Sequence, residues 1–276
     1  MNIKRIHRRI DKILKNSVLK IAKRSRFIIS ASFLTIILIL TQLLPPQNIF
    51  LAVFSLGIIS LLLSLWCLWE DLAGIEYLTL LLPLFLFTFG IGLFYYLLPL
   101  RWVTRLPVGV LYAFGIYSLF LTQNIFNVAA IRTIGLLRAA RTVSLLFSLI
   151  TAFFLLNTVF SFHLMFYWNF FLVFGLSFLI ILPLFWEEKL TPHIEKDILN
   201  ISLVTSLIIA EAALILSFWP LKVTFIALYL ISLLYSLIGI NQIKLKDFPL
   251  KNSIWEYLVL NFLAIYMLLK TASWQI

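Results

Sequence analysis

One acidic residue lies inside a long apolar segment of the sequence and is the first candidate for chemistry. Glu211 falls about two-thirds of the way through the segment 198–219. A carboxyl group inside a bilayer costs several kcal/mol unless it is paired, protonated or hydrated, so it is a functional candidate by default. Small residues recur at steps of three or four along this segment, which predicts that Glu211 faces neighbouring helices. Either it joins helices by hydrogen bonds or it belongs to a proton or ion pathway, in both cases with asparagines of other segments: Asn157, Asn169 and Asn261.

Metal and covalent chemistry have little support in the sequence. The histidines do not fall in a zinc-binding pattern, and the single cysteine has no partner for a dithiol site. A nucleophile elbow and a Gly-rich phosphate loop are also missing. We therefore predict no metal, no cofactor and no catalytic residues, and we interpret Cys67 as a buried apolar side chain.

Two of the loops between the apolar segments are acidic, and both are predicted below to face the cytoplasm. The pair Glu187-Glu188 resembles the paired glutamates of intramembrane CAAX-type proteases, but that family places an arginine where this sequence has Pro192, so we do not assign the protein to it. The loops and the end of the fourth apolar segment provide either a cation vestibule, a docking face for a basic partner, or ordinary solvated polar groups. The residues are Glu70, Asp71, Glu76, Glu187, Glu188, Glu195 and Asp197 in the loops, and Gln123, Asn124 and Asn127 in the segment.

The composition indicates that lipid surrounds most of the chain. Of the 276 residues, 63% are hydrophobic and 12% are charged, whereas roughly 25% are charged in a soluble domain. A helix needs about 20 apolar residues to cross a bilayer, and division at charges and turn residues gives nine such segments. They are 27–44, 49–69, 77–99, 106–126, 142–162, 164–186, 198–219, 222–240 and 254–270. The sequence therefore predicts an all-α polytopic helix bundle, with residues 27–276 forming a single transmembrane domain.

The first 26 residues form a separate basic segment. They contain ten Lys or Arg residues against one Asp, around a stripe of isoleucine and leucine at helical spacing. This pattern predicts an amphipathic helix on an anionic membrane surface, and the lack of a folded platform argues against nucleic acid. The expected contacts with lipid headgroups are Arg5, Arg8, Arg9, Lys12 and Lys15, together with Arg132, Arg138 and Arg141 of a short interfacial helix.

The distribution of positive charge predicts the orientation. With the N-terminus in the cytoplasm, the inner segments hold 18 Lys and Arg residues and the outer segments hold four. Short positively charged loops stay in the cytoplasm, so nine spans place the C-terminus outside. We expect an integral protein of a bacterial plasma membrane.

These features favour a non-enzymatic membrane scaffold or assembly factor. Alternating-access transporters commonly use helices interrupted by Gly or Pro in two repeats, and here only the segment 77–99 carries such residues, Pro83, Gly90 and Gly92. One alternative is a small-solute or ion transporter that uses Glu211. Another is a lipid-modifying enzyme that uses the acidic inner loops. The expected partners are the bilayer, anionic headgroups, and either another membrane protein or a second copy of the chain.

Overall fold

The structure is entirely helical over the residues it describes. This computed structural model describes residues 22–41, 46–69, 72, 74–98, 102–129, 135–245 and 253–271. A 3-10 turn, Pro46–Asn48, precedes the second helix, and no strand occurs within these ranges. The α-helices are α1 Lys23–Thr41, α2 Ile49–Leu68, α3 Glu76–Thr79, α4 Leu82–Leu97, α5 Trp102–Ala129, α6 Leu137–Ser161, α7 Phe166–Lys189, α8 Lys196–Leu216, α9 Val223–Leu245 and α10 Ser253–Lys270.

Eight of the predicted segments form helices long and apolar enough to span a membrane. The all-α bundle is therefore confirmed. The ninth segment carries α10, which is a helix of 18 residues, so nine spans and the orientation stay predictions. The basic segment reaches the described residues only at its end, because residues 1–21 lie outside them and α1 begins at Lys23.

The division of the longest apolar stretch falls where His163 interrupts it. Helix α6 ends at Ser161, His163 adopts a left-handed φ of 48°, and α7 begins at Phe166. A residue in the left-handed region reverses the chain after a helix. The stretch 142–186 is thus a tight helical hairpin, as its length predicts.

Two apolar cores hold the bundle together. The first lies among α1, α2, α4 and α5 and includes Phe27 stacked on Phe120. The second lies among α6, α7, α8 and α9. Helix α4 packs on both α2 and α6 and so connects the two cores.

The chain runs back and forth, so the start of α1 and the ends of α2, α5 and α7 share one end of the bundle. There Arg26 Nη1 donates to the Trp66 carbonyl oxygen at 3.3 Å, and Asn127 Nδ2 donates to the Leu68 carbonyl oxygen at 3.2 Å. We call this the predicted cytoplasmic end, because the charge distribution places it there.

The prediction of a short interfacial helix before the fifth segment is wrong over the described residues. Helix α6 begins at Leu137 and continues to Ser161 without a break. Arg138 and Arg141 therefore lie in the first turns of a spanning helix. The helix starts this early because Arg141 has partners inside the protein, described below.

Candidate functional site

Polar side chains from three helices meet at the predicted cytoplasmic end. We call this group the inner polar cluster; it consists of Gln123 from α5, Arg141 and Ser144 from α6, and Glu187 and Glu188 from α7. Two further amides, Asn124 and Asn127, follow Gln123 along α5. Polar groups buried inside a membrane protein mark functional sites by default.

Glu187 is the buried acid of the cluster. Helix α7 continues to Lys189, and its last turn carries the Glu187 side chain into the protein, where only 1% of the residue is exposed. The Ser144 hydroxyl donates a hydrogen bond of 2.8 Å to Glu187 Oε1. The carboxyl group is therefore held by α6 and not by solvent.

Arg141 caps the C-terminal end of α7. Its Nε donates to the Glu187 carbonyl oxygen at 3.1 Å, and its Nη2 donates to the Glu188 carbonyl oxygen at 2.7 Å. Its Nε also lies 3.3 Å from Glu188 Oε2, in an ion pair. A cation at a helix C-terminus satisfies carbonyl groups that have no partner within the helix. Arg141 thus fixes the position of both glutamates.

Gln123 completes the cluster from α5 and is fully buried. Its amide lies beside the Glu187 carboxyl group, yet neither Oε1 nor Nε2 makes a hydrogen bond of normal geometry with a described residue. The Oδ1 atoms of Asn124 and Asn127 are also buried without a partner in the part of the chain that the structure describes. Buried polar atoms are nearly always satisfied in native proteins, so these amides are candidates for contact with a water molecule.

A small cavity lies about one helical turn from the cluster, toward the membrane centre, and none of the cluster residues lines it. Its volume is about 10 Å³, and its lining includes Leu119, Ser148 and Thr151. Leu119 is one helical turn from Gln123, and Ser148 is one turn from Ser144. The cavity is close to the size needed for a single water molecule.

Of the three alternatives for the acidic loops, ordinary solvated polar groups do not fit two of the acids. Glu187 and Glu76 are both buried. Among the others, Glu195 pairs with Lys189, Asp197 is exposed in the first turn of α8, and Glu70 and Asp71 lie outside the described residues. The reason is that α7 extends three residues beyond the predicted span, which turns Glu187 inward.

Glu211 is predicted to face neighbouring helices, but the structure does not place it among the described helices of its own bundle. The small residues Ser202, Ser206, Ala210 and Ala213 line the buried face of α8, and Glu211 lies on the opposite, exposed side. One residue corresponds to about 100° of helix rotation. Glu211 therefore lies outside the stripe that Ala210 belongs to.

The predicted asparagine partners make other contacts. Asn169 Nδ2 donates to Ser217 Oγ at 3.1 Å, at the opposite end of the bundle, and Asn261 Nδ2 donates to Ser236 Oγ at 2.6 Å. Asn157 is buried on α6. The structure does not bring any of these three residues to Glu211, so their joint role in a pathway stays a prediction.

The predicted headgroup contacts are mostly outside the described residues. Arg5, Arg8, Arg9, Lys12, Lys15 and Arg132 belong to these undescribed parts. Arg138 is exposed at the predicted cytoplasmic end, where a headgroup contact is geometrically open. For Arg141 the prediction is wrong, because its guanidinium group is committed to Glu188 and to the end of α7.

Sequence reasoning missed the pairing of Ser144 with Glu187. A signal was present, since Ser144 follows Arg141 by three residues and thus shares its helix face. Cys67 is fully buried as expected, and its Sγ lies 3.2 Å from the Ser30 hydroxyl. Among the described residues, no group of three or more His, Cys, Asp or Glu side chains is arranged to hold a metal ion.

The bundle and its spanning helices define an integral, multi-pass membrane protein. The chain belongs to the family described as "Protein of unknown function (DUF5656)", whose model matches residues 74–271. That range includes every residue of the inner polar cluster. No curated protein and no solved structure gives a significant match to this chain.

Proposed function

We propose that this protein is a membrane scaffold that self-associates through the exposed face of α8. The observation that supports this proposal is the position of Glu211 within that face. Glu211 lies about 22 Å from the start of α8 and about 8 Å from its end, at 1.5 Å per residue. Its side chain is exposed and makes no hydrogen bond or ion pair with a described residue.

A carboxyl group in this position needs a partner. Ionisable side chains within spanning helices almost always face protein or a water-filled cavity, because lipid offers no hydrogen bonds. Helix α8 packs on α7 and α9 with its opposite side. No described residue of this bundle is therefore the partner of Glu211.

The spacing of one row of exposed residues along α8 favours a second helix as that partner. The row continues just past the end of the helix, and its residues follow one another at steps of four, three, four and three, which is the repeat of a coiled-coil seam. We call this row the α8 seam: Val204, Ile208, Glu211 and Ile215 on α8, and Phe218 two residues beyond its end, all exposed. A single polar residue in an apolar seam fixes the register of two helices.

The occupant of this face is a second copy of the chain. A two-fold axis along the membrane normal places two α8 helices parallel and brings each seam residue opposite itself. Two Glu211 carboxyl groups then share a proton in a mutual hydrogen bond, while the apolar seam residues pack around them. The pair satisfies both carboxyl groups without a basic residue, and the seam has none.

Disulfide cross-linking in the membrane tests this proposal. In a Cys67→Ala background, Val204→Cys introduces a thiol in the seam, and Val110→Cys introduces one on α5. The two valines are similarly exposed, at 58% and 67%, so they form a matched pair. We expect oxidation to give dimers with Val204→Cys and not with Val110→Cys; equal yields from the two would refute the α8 interface.

A second measurement addresses the role of the carboxyl group. Glu211→Gln keeps a hydrogen-bonding group in the seam, so the dimer should persist. Glu211→Leu removes it and should shift the protein toward monomer in detergent, measured by sedimentation. A Gln variant that dimerises normally but fails to support the cellular activity of the parent would instead favour the transporter alternative.

A further inference from the structure

A proline interrupts the backbone hydrogen bonding of α7 one turn before Glu187. Pro183 lies inside this helix. Proline has no backbone N–H, so the carbonyl group of Leu179, four residues earlier, loses the donor that a helix normally supplies. In membrane helices such carbonyl groups are satisfied by neighbouring side chains or by ordered water, because lipid offers no donor. The Leu179 carbonyl group therefore needs another donor.

The small cavity described above lies at the same level of the bundle. Ser144 of α6 contacts Glu187 of α7, and these two helices run antiparallel. Four residues farther along α6 and four residues back along α7, Ser148 is level with Pro183. A helical carbonyl group points toward the C-terminus of its helix, so that of Leu179 is directed toward this level. Ser148 and Leu179 both line the cavity.

The hydroxyl group of Ser148 is available as a donor. Ser148 is buried, yet it makes no hydrogen bond with a described residue. Buried hydroxyl groups in spanning helices commonly bond to a carbonyl oxygen of the preceding turn. Thr151 does so, donating to the Phe147 carbonyl oxygen at 2.7 Å. The cavity thus adjoins one hydroxyl group without a partner and one carbonyl group without its helical donor.

We infer that the cavity holds one water molecule, which bridges the Ser148 hydroxyl group and the Leu179 carbonyl group. Its volume of about 10 Å³ is close to that needed for one water molecule, which normally makes two to four hydrogen bonds. The water accepts from Ser148 and donates to Leu179, and its second proton goes to the hydroxyl oxygen of Thr151, which also lines the cavity. The water replaces the hydrogen bond that Pro183 removes and joins α6 to α7 inside the membrane.

Radical labelling of the purified full chain in detergent tests for this water molecule. Ionising radiation converts water into hydroxyl radicals, which oxidise the side chains beside them. Phe147 lines the cavity and Phe160 of the same helix does not; they are 8% and 5% exposed, so they form a matched pair. We expect oxidation of Phe147, measured by mass spectrometry, to exceed that of Phe160 several-fold. Equal oxidation would mean that the cavity is dry, and the inference would be wrong.

Filling the cavity provides the control for the labelling. Ser148→Val replaces the hydroxyl group by apolar volume and leaves no room for the water molecule. Oxidation of Phe147 should then fall to the level of Phe160, while Phe160 stays unchanged. Undiminished oxidation of Phe147 in the folded variant would show that the radicals come from bulk solvent, and this result would also overturn the inference.

A double-mutant cycle tests the bridge between the two helices. Ser148→Ala removes a partner of the water molecule without adding volume, and Pro183→Ala restores the backbone donor to the Leu179 carbonyl group. We expect Ser148→Ala to lower the unfolding temperature by about 2–4 °C, the shift for losing one hydrogen bond in a chain of this size. In the Pro183→Ala background the shift should be smaller, because the carbonyl group no longer depends on the water.

Two outcomes of the cycle would contradict the bridge. Equal shifts in both backgrounds would mean that Ser148 and the Leu179 carbonyl group share no ligand. A rise of the unfolding temperature with Ser148→Ala alone would mean that the serine hydroxyl group is buried in a dry cavity. Where Pro183→Ala fails to fold, the labelling of the wild-type chain decides the case.

Discussion

The Ser144 hydroxyl lies 2.8 Å from Oε1 of Glu187 and links the first turns of α6 to the last turn of α7. The two residues are 43 positions apart in the sequence, and both are almost fully buried. Acids at the end of a spanning helix normally contact water. Here the Glu187 carboxyl group instead accepts a hydrogen bond from Ser144 inside the protein.

Loss of the Ser144 hydroxyl should destabilise the protein. Ser144→Ala leaves a buried carboxyl oxygen without its donor, which costs about 1–3 kcal/mol of unfolding free energy. Ser55→Ala is the control, because Ser55 is exposed and bonds only to the Ala52 carbonyl oxygen of its own helix. Unfolding in detergent would measure both; similar small effects would show that the Ser144 hydrogen bond contributes little.

Arg141 should matter far more than its neighbour Arg138. Arg141→Gln removes two hydrogen bonds to the end of α7 and an ion pair with Glu188, and we expect a loss of about 2–3 kcal/mol, because the pair is partly buried. Arg138→Gln changes the same charge on the exposed face of α6 and should shift stability by less than about 0.5 kcal/mol. An Arg141→Gln protein as stable as Arg138→Gln would contradict the assigned contacts.

The hydrogen bond between Asn169 and Ser217 joins α7 to the end of α8. A double-mutant cycle of Asn169→Ala and Ser217→Ala should give a coupling energy of about 0.6 kcal/mol, typical of hydrogen bonds between membrane helices. Additive effects of the two substitutions, measured by unfolding, would mean that the side chains do not interact.

Two glycines should respond in opposite ways to alanine. At Gly239 an added Cβ would overlap the Tyr257 ring, so Gly239→Ala should push α10 away from α9 and destabilise the protein. At Gly175 no atom lies within 4 Å of the added Cβ, so Gly175→Ala should stabilise α7 by about 0.5–1 kcal/mol. Destabilisation by both would indicate that helix α7 is more crowded than the structure shows.

The predicted topology places the C-terminus outside. A reporter fused after Ile276 should be active only on the outer side if α10 spans the membrane, whereas a fusion after Phe248, between α9 and α10, should report the cytoplasm. A C-terminal fusion active only in the cytoplasm would mean an even number of spans, and α10 would then lie on the surface.

The positions of the spans are determined by the sequence alone. Apolar length is a local property, because every backbone group in a spanning helix is satisfied within the segment and only the side chains must suit lipid. Eight predicted segments therefore agree with helices to within a few residues, and His163 marks the hairpin between α6 and α7. The small-residue face of α8 was also readable, because it depends on spacing along one helix.

The tertiary structure decides which polar side chains contact one another. Glu211 and Glu187 are both acids at apolar segments, yet α8 turns the first outward and α7 carries the second into contact with Ser144. That difference depends on where α7 ends and how it is rotated against α6, and both are set by contacts with residues far away in the chain. Arg141 shows the same effect, because its partners lie 46 and 47 positions away. Hydropathy measures affinity for lipid along one helix and carries no information on the distance between two helices.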